Sequence, residues 1–107
     1  MAKQIVLTYE GKDYTLEFNA IVVKRMESEG FRLNTETPYT MVTDLFHGAF
    51  RMHHRKLPPE TIDKMWKAQK QKELLLNRLA GMYSQILADL MEDDEDGDDE
   101  NPTWREV

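Results

Sequence analysis

The chain has 107 residues, contains no cysteine and carries a formal net charge of −6. This length supports a single domain, and the lack of cysteine excludes disulfides, thiolate metal sites and cysteine nucleophiles. No apolar run approaches the roughly 20 residues of a membrane span, and no cationic segment followed by an apolar stretch opens the chain, so we expect neither membrane insertion nor secretion.

The acidity is concentrated at one end of the chain. Residues 92–100 contain eight of the 20 acidic side chains and are interrupted only by Gly97, so the rest of the chain has a net charge of about +2. Carboxylates that repel one another, without apolar residues to bury, cannot offset the entropy of ordering. The sequence therefore predicts a folded domain over residues 1–91 and a disordered, flexible acidic tail over residues 92–107.

Two short strands open the chain. Apolar and aromatic residues alternate with other residues across residues 4–9 and again across residues 14–18, and a turn is predicted over residues 10–13. The resulting hairpin would be marginal alone in water, so it must pack on helices or pair with another chain. The alternating positions are Ile5, Leu7 and Tyr9 in the first strand and Tyr14, Leu16 and Phe18 in the second.

Two helices are predicted next. Asn19 is a suitable N-cap for a helix over residues 20–29, which Gly30 ends, and Phe31 is expected to fold back onto it. Thr37 as N-cap, followed by a proline in the first turn, begins a second helix. Its buried stripe follows the i, i+3, i+4, i+7, i+8 series at Val42, Leu45, Phe46, Ala49 and Phe50.

Two further helices complete a mainly α fold. A proline pair at 58–59 ends the second helix and precedes a short helix over residues 59–67, and a polar joint is predicted over residues 67–72. The last helix is predicted over residues 71–91. It has more apolar residues than one core face needs, which indicates a second apolar face. Its stripe comprises Leu75, Leu79, Met82, Tyr83, Ile86, Leu87 and Leu90, widened by Leu74, Leu76 and Met91.

The residue pattern argues against catalysis and bound metal. His53 and His54 are adjacent on a helix, and neither has the i, i+4 histidine partner of a zinc helix. The acidic run resembles a calcium loop around Gly97, but Thr103 stands where the bidentate glutamate belongs. No nucleophile elbow or phosphate-binding glycine loop is present. We therefore predict that the protein is not an enzyme and has no catalytic residues, cofactor, metal or small-molecule substrate.

Basic residues in the middle of the chain have two interpretations. Eight lysines and arginines between residues 51 and 78 would suit a phosphate-facing stripe. However, they alternate with acidic residues and have only Trp66 among them as an exposed aromatic candidate. A solvated face, or a docking surface for the tail or for an acidic partner, is favoured over nucleic-acid contact.

The start of the chain resembles a known protein family. Residues 9–19, YEGKDYTLEFN, lead into a helix that contains Met26 and Glu27, and this stretch resembles the start of tail assembly chaperones of long-tailed bacteriophages and prophages. The small helical domain and acidic end agree with the resemblance. It implies a non-enzymatic protein that coats the tape-measure protein and recruits tail-tube subunits in the host cytoplasm, and that is not expected in the mature virion. Many members also have a longer product made by ribosomal frameshifting.

The resemblance does not indicate which residues bind a partner, so the candidate partner-binding site is predicted from this sequence alone. The surplus apolar face of the last helix and a lone tryptophan beyond the acidic run suit a partner interface. Uncovered apolar surface and a hairpin edge also predict a homo-oligomer. The alternative function is an acidic regulatory or DNA-mimic protein that binds a basic protein partner. The candidate partner-binding residues are Leu75, Leu79, Met82, Tyr83, Ile86 and Trp104.

Overall fold

The computed structural model describes residues 3–92 and 104–106 and contains an antiparallel hairpin followed by four helices. The predicted mainly α fold with an N-terminal hairpin is confirmed. The predicted disordered tail falls largely on residues 93–103 and 107, which lie outside the described residues. The elements are β1 (Gln4–Tyr9), β2 (Lys12–Glu17), α1 (Ala20–Ser28), α2 (Pro38–Phe50), α3 (Pro59–Ala68) and α4 (Lys72–Leu90).

The hairpin turn is shorter than the sequence predicted. Only Glu10 and Gly11 form the loop, with φ angles of 51° and 80°, and the strand pairing already includes Tyr9 opposite Lys12. Positive φ at both loop positions gives the backbone twist that a two-residue hairpin needs. The prediction of a turn over residues 10–13 was therefore wrong for Lys12 and Asp13, which belong to β2.

The predicted ends of α1 are confirmed to within one residue. The Asn19 side chain accepts a hydrogen bond from the Val22 amide at 2.8 Å and so caps the first turn. After the helix, Gly30 has a φ of 98°, which is favourable only for glycine. The Phe31 amide donates to the Met26 carbonyl at 3.0 Å, and the Phe31 side chain is buried, so the chain folds back as predicted.

The start of α2 is as predicted, but its cap is not. The Thr37 side chain makes no capping hydrogen bond to the helix. Its hydroxyl is instead 3.2 Å from the Asn34 side-chain oxygen, which also accepts from the amides of Glu36 and Thr37. Asn34 therefore organises the turn before α2 through a local side-chain to backbone bond, because its oxygen reaches amides two and three residues ahead.

The predicted joint between the last two helices is confirmed and is narrower than expected. Gln69, Lys70 and Gln71 separate α3 from α4, and Gln71 has a φ of 58°. The Lys72 ammonium donates to the Gln69 carbonyl at 2.6 Å and satisfies an oxygen that the end of α3 leaves without a helical partner. The first helical residue of α4 thus ties the two helices together.

One apolar core joins the hairpin to the helices. β2 packs on α2, α2 contacts both α3 and α4, and α1 contacts α4. No polar or charged residue among those described is buried in this core. Its side chains are Leu7, Leu16, Phe18, Val22, Val23, Met26, Phe31, Leu45, Phe46, Ala49, Phe50, Ile62, Met65, Leu79, Met82 and Tyr83.

Within the described part of the chain, no helix has both the length and the apolar character to cross a membrane.

Candidate functional site

Three of the predicted partner-binding residues belong to the core. Leu79 is fully buried, and Met82 and Tyr83 are also buried. The Tyr83 ring packs edge-on against Phe18 and Phe31, with ring centroids 5.5 and 5.1 Å apart. These side chains bind α4 to the rest of the domain, and they are not available as a surface in this conformation.

The other three predicted residues are at least partly accessible. Leu75 and Ile86 are half-buried and pack against the core, one in the first half of α4 and one in the second. The Trp104 side chain is 70% exposed. The structure therefore does not bring the six predicted residues together on one face.

The uncovered apolar residues of α4 lie mainly at its C-terminal end. Leu90 is 79% exposed and Met91 is 81% exposed, while Leu87 is 38% exposed. Residues three and four apart on a helix are surface neighbours, so Leu87 lies beside both Leu90 and Met91. At the other end of the helix, Leu74 is 48% exposed and stands apart from this group.

A groove lies next to these residues, between the second half of α4 and the junction of β2 with α1. Its volume is about 710 Å³. Phe18, Met82 and Ile86 supply buried or half-buried apolar lining, and Ala20 and Leu90 add exposed apolar surface. We call this cavity the α4 groove.

The polar lining of the α4 groove carries both signs of charge. Lys3, Glu17 and Asp89 line it together with Gln85, whose amide donates to the Asp89 carboxylate at 2.8 Å. The α4 groove has apolar walls and a border with charges of both signs. A partner segment that is amphipathic would therefore bind in it better than a strongly charged segment. The described lining residues offer apolar contact and hydrogen bonding, and no nucleophile lies beside a base among them.

Glu17 connects the α4 groove to the end of α2. The His53 ring and the Gln4 amide lie 2.8 and 2.7 Å from the same Glu17 carboxylate oxygen. The hydrogen bond from His53, supported by that from Gln4, holds the pKa of the Glu17 carboxyl below its usual value. The charged carboxylate is therefore favoured at the groove's edge.

The other histidines also have structural partners. His54 Nε2 accepts a hydrogen bond from the Thr15 amide at 2.9 Å, and His47 lies 2.7 Å from the Asp63 carboxylate. Among the residues that the structure describes, no group of three or more histidines and acidic side chains is arranged to hold a metal ion. The histidines join α2 to β2 and to α3.

A second cavity, of about 330 Å³, lies on another part of the surface. Arg25 from α1, Arg51 at the end of α2 and Arg55 from the following turn all line it, together with Glu29. We call it the arginine cavity. The sequence placed Arg51 and Arg55 in a broad basic segment but gave no sign that Arg25 joins them, because the contact depends on how α1 packs beside α2.

The comparisons with known proteins identify a family. Comparison with curated proteins gave no match, and comparison with solved structures also gave none. A family model described as a domain of unknown function matches residues 1–106 and so spans nearly the whole chain. The chain therefore belongs to the DUF5055 family.

Proposed function

We propose that this protein is a tail assembly chaperone of a long-tailed bacteriophage or prophage, which binds the tape-measure protein and recruits tail-tube subunits. On this proposal it acts in the host cytoplasm as a binding protein without catalytic chemistry. Support comes from the resemblance of residues 9–19 to such chaperones, and from an apolar surface on α4 that the domain's own elements do not cover.

The observation that carries the proposal is the α4 groove together with the exposed residues beside it. Leu87, Leu90 and Met91 extend the apolar lining of Ile86 onto the open surface. Contiguous exposed apolar surface with a polar border is typical of a site for a protein partner. We name Ile86, Leu87, Leu90 and Met91 the α4 strip.

The chemistry of the α4 strip suits a helical partner. A tape-measure protein is expected to be long and helical, with apolar surface that must be shielded before the tail closes around it. An amphipathic helix presents apolar side chains at i, i+3, i+4 and i+7, which is the pattern that an apolar groove accepts. Fully burying a leucine side chain stabilises a complex by about 1.5–3 kcal/mol, so Leu87 and Leu90 together can contribute a large share of the affinity.

Co-expression tests this proposal. The tape-measure protein of the same genome is produced with the wild-type chain or with Leu87→Gln and Leu90→Gln combined, and the amount that co-purifies in soluble form is measured. Glutamine removes apolar contact without adding charge and is itself a good helix former. We expect at least a tenfold loss of co-purified tape-measure protein, since tenfold in binding corresponds to about 1.4 kcal/mol.

Leu74→Gln is the matched control, because it makes the same change at an exposed leucine of the same helix outside the α4 strip. It should leave co-purification unchanged. Circular dichroism should show wild-type helicity for both variants, since none of the three leucines is buried. A well-folded double variant that holds as much tape-measure protein in solution as the wild type would contradict the proposed site.

A further inference from the structure

The arginine cavity brings like charges together from separate parts of the chain. Arg25 lies in the last turn of α1, Arg51 follows α2 directly, and Arg55 lies one turn further along. Glu29 is the carboxylate that lines the cavity with them. Three guanidinium groups and one carboxylate leave this site with a net charge of about +2, since arginine remains protonated in proteins.

The described residues neutralise these charges only in part. Arg51 Nη2 donates to the Glu29 carboxylate at 2.6 Å, while Arg51 Nη1 is buried and has no hydrogen-bond partner among the described residues. Within residues 3–92 and 104–106, neither Arg25 nor Arg55 makes an ion pair. A buried donor that lacks a partner costs about 1–3 kcal/mol, so the described residues leave this site incompletely satisfied.

Helix dipoles explain part of this arrangement but not all of it. Cations are favourable near the C-terminal ends of helices, which accounts for Arg25 and Arg51 on their own elements. The dipole does not account for Arg55, which lies beyond α2, or for the shared cavity. Positive charges that share one cavity repel one another, and an anion bound among them would remove that repulsion.

The remaining lining indicates the kind of anion. Ile21, which is largely exposed, and Val22 give the cavity an apolar side. None of the described residues that line it is aromatic, so they provide no stacking surface of the kind on which single-stranded nucleic acids bind. Carboxylates combine with arginine in paired, bidentate hydrogen bonds, and a peptide chain supplies both carboxylates and apolar contact.

We propose that the arginine cavity binds the carboxylates of an acidic peptide segment. This chain contains such a segment, with eight acidic side chains in residues 92–100. Leu90, at the end of α4, lines the same groove as Ala20, and Ala20 is adjacent to Ile21 of the arginine cavity. The occupant that we assign to the cavity is therefore the chain's own acidic run, and an acidic segment of a partner is the alternative that the test distinguishes from it.

A labelled peptide tests the site and distinguishes the two sources. The probe is a fluorescein-labelled peptide with the sequence of residues 92–100, and its anisotropy is followed as protein is added. One titration uses the wild-type chain. The other uses the full chain with each Asp or Glu of residues 92–100 replaced by Asn or Gln, which we call the neutralised chain. Both are measured at low ionic strength and repeated at about 0.5 M salt, which screens charge attraction.

We expect saturable binding to the neutralised chain that weakens at high salt. Binding to the wild type that is weaker than binding to the neutralised chain, by a factor that persists at about 0.5 M salt, would identify the chain's own acidic run as the occupant, because high salt screens the difference between net charges of −6 and about +2. Equal binding to both chains would overturn that assignment and leave the cavity to an acidic partner. Absence of binding to either chain would overturn the proposal.

Arginine variants locate the binding. Arg25→Gln and Arg55→Gln together, introduced into the neutralised chain, should weaken peptide binding at least tenfold, because each loses a charge-assisted hydrogen bond. Lys64→Gln and Lys67→Gln together remove two exposed positive charges on α3, outside the cavity, and should change binding less than twofold. Equal losses in the two variants would show general charge attraction instead of a site and would contradict the proposal.

Discussion

At the scale of single residues, His54 has the most specific environment of the three histidines. Its Nε2 atom accepts a hydrogen bond from the Thr15 amide, so the folded protein requires a neutral ring with the proton on Nδ1. Burial lowers the pKa of His54 below its usual value of 6.5, and the charge of neighbouring His53 lowers it further. Protonation would therefore break a contact between β2 and the end of α2.

This environment predicts the sign of a pH effect on stability. Below about pH 6.5 the unfolded chain binds a proton at His54 more readily than the folded chain does, so the free energy of unfolding decreases as the pH falls. The contribution of neutral His54 to stability is fully present above the pKa that this residue has in the unfolded chain. Urea unfolding measured between pH 5 and 7.5 should show this decrease.

Substitution at His54 separates its effect from other groups. His54→Gln keeps a side-chain acceptor without a titratable ring, so its stability should vary less with pH between 5 and 7.5 than that of the wild type. His54→Ala should cost about 0.5–1.5 kcal/mol at pH 7 through loss of the Thr15 hydrogen bond. Glu17 affects stability at lower pH than His54 does. Because the Glu17 pKa is lowered in the folded protein, its contribution to stability is present above the usual pKa of 4.5 and is lost as the pH falls through the pKa of the folded state. An unchanged pH dependence in His54→Gln would contradict this assignment.

At the scale of elements, the hairpin turn provides a second test. Glu10 has a φ of 51°, a conformation that asparagine and glycine adopt more readily than glutamate. Glu10→Asn should therefore raise the free energy of unfolding by about 0.5–1 kcal/mol, whereas Gly11→Ala, at a φ of 80°, should lower it by about 1 kcal/mol or more. Urea unfolding measures both.

The matched control for the turn is Lys12→Asn, which introduces the same residue at a strand position next to the loop. Asparagine is depleted in strands, so this change should not stabilise the protein. If Glu10→Asn and Lys12→Asn had the same effect on stability, turn geometry would not be the cause.

Most elements could be predicted from the sequence because their signals are local. The alternation around Leu7 and Leu16 gave the strands, and Asn19 with Gly30 gave both ends of α1. The predicted length of the hairpin turn was wrong because that length depends on how the strands pair, which the composition of residues 10–13 does not determine. The predicted cap of α2 was wrong because the Thr37 hydroxyl bonds to the Asn34 side-chain oxygen instead of accepting from an amide in the first turn of the helix.

The candidate site was harder to predict than the helix that carries it. The sequence showed that α4 has more apolar residues than one face needs, but it could not show which of them the other elements cover. Leu79 and Leu90 belong to the same predicted stripe, yet one is fully buried and the other is largely exposed. The difference arises from tertiary packing, because α1 and α2 contact α4 while Leu90 lies at the helix end, beside an open groove.

At the scale of the whole molecule, the uncovered surfaces lead us to propose self-association. Within the described part of the chain the sheet has two strands only, and the outer edge of β2 is engaged at Thr15 by His54, whereas no strand pairs with the outer edge of β1. Open edges and exposed apolar strips favour contacts between copies. Light scattering across a concentration series should show a mass above that of the monomer at high micromolar concentration.

Variants of the β1 edge test the source of that assembly. Val6 is exposed on β1, and Val6→Lys adds a charge that opposes edge pairing. It should reduce the measured mass, whereas Lys12→Asn, which adds no charge to β1, should not. A protein that remains monomeric at all concentrations would remove the basis for a coat of many copies around an elongated partner.

Site-specific photo-crosslinking measures directly whether the α4 strip contacts the tape-measure protein. Benzoylphenylalanine is incorporated at position 90 or at position 74 of the full chain, which is produced together with the tape-measure protein and irradiated. We expect a covalent adduct with the tape-measure protein from position 90, in the α4 strip, and little or none from position 74 on the same helix. An adduct of equal yield from both positions, or none from position 90 while the two proteins still co-purify, would contradict this expectation.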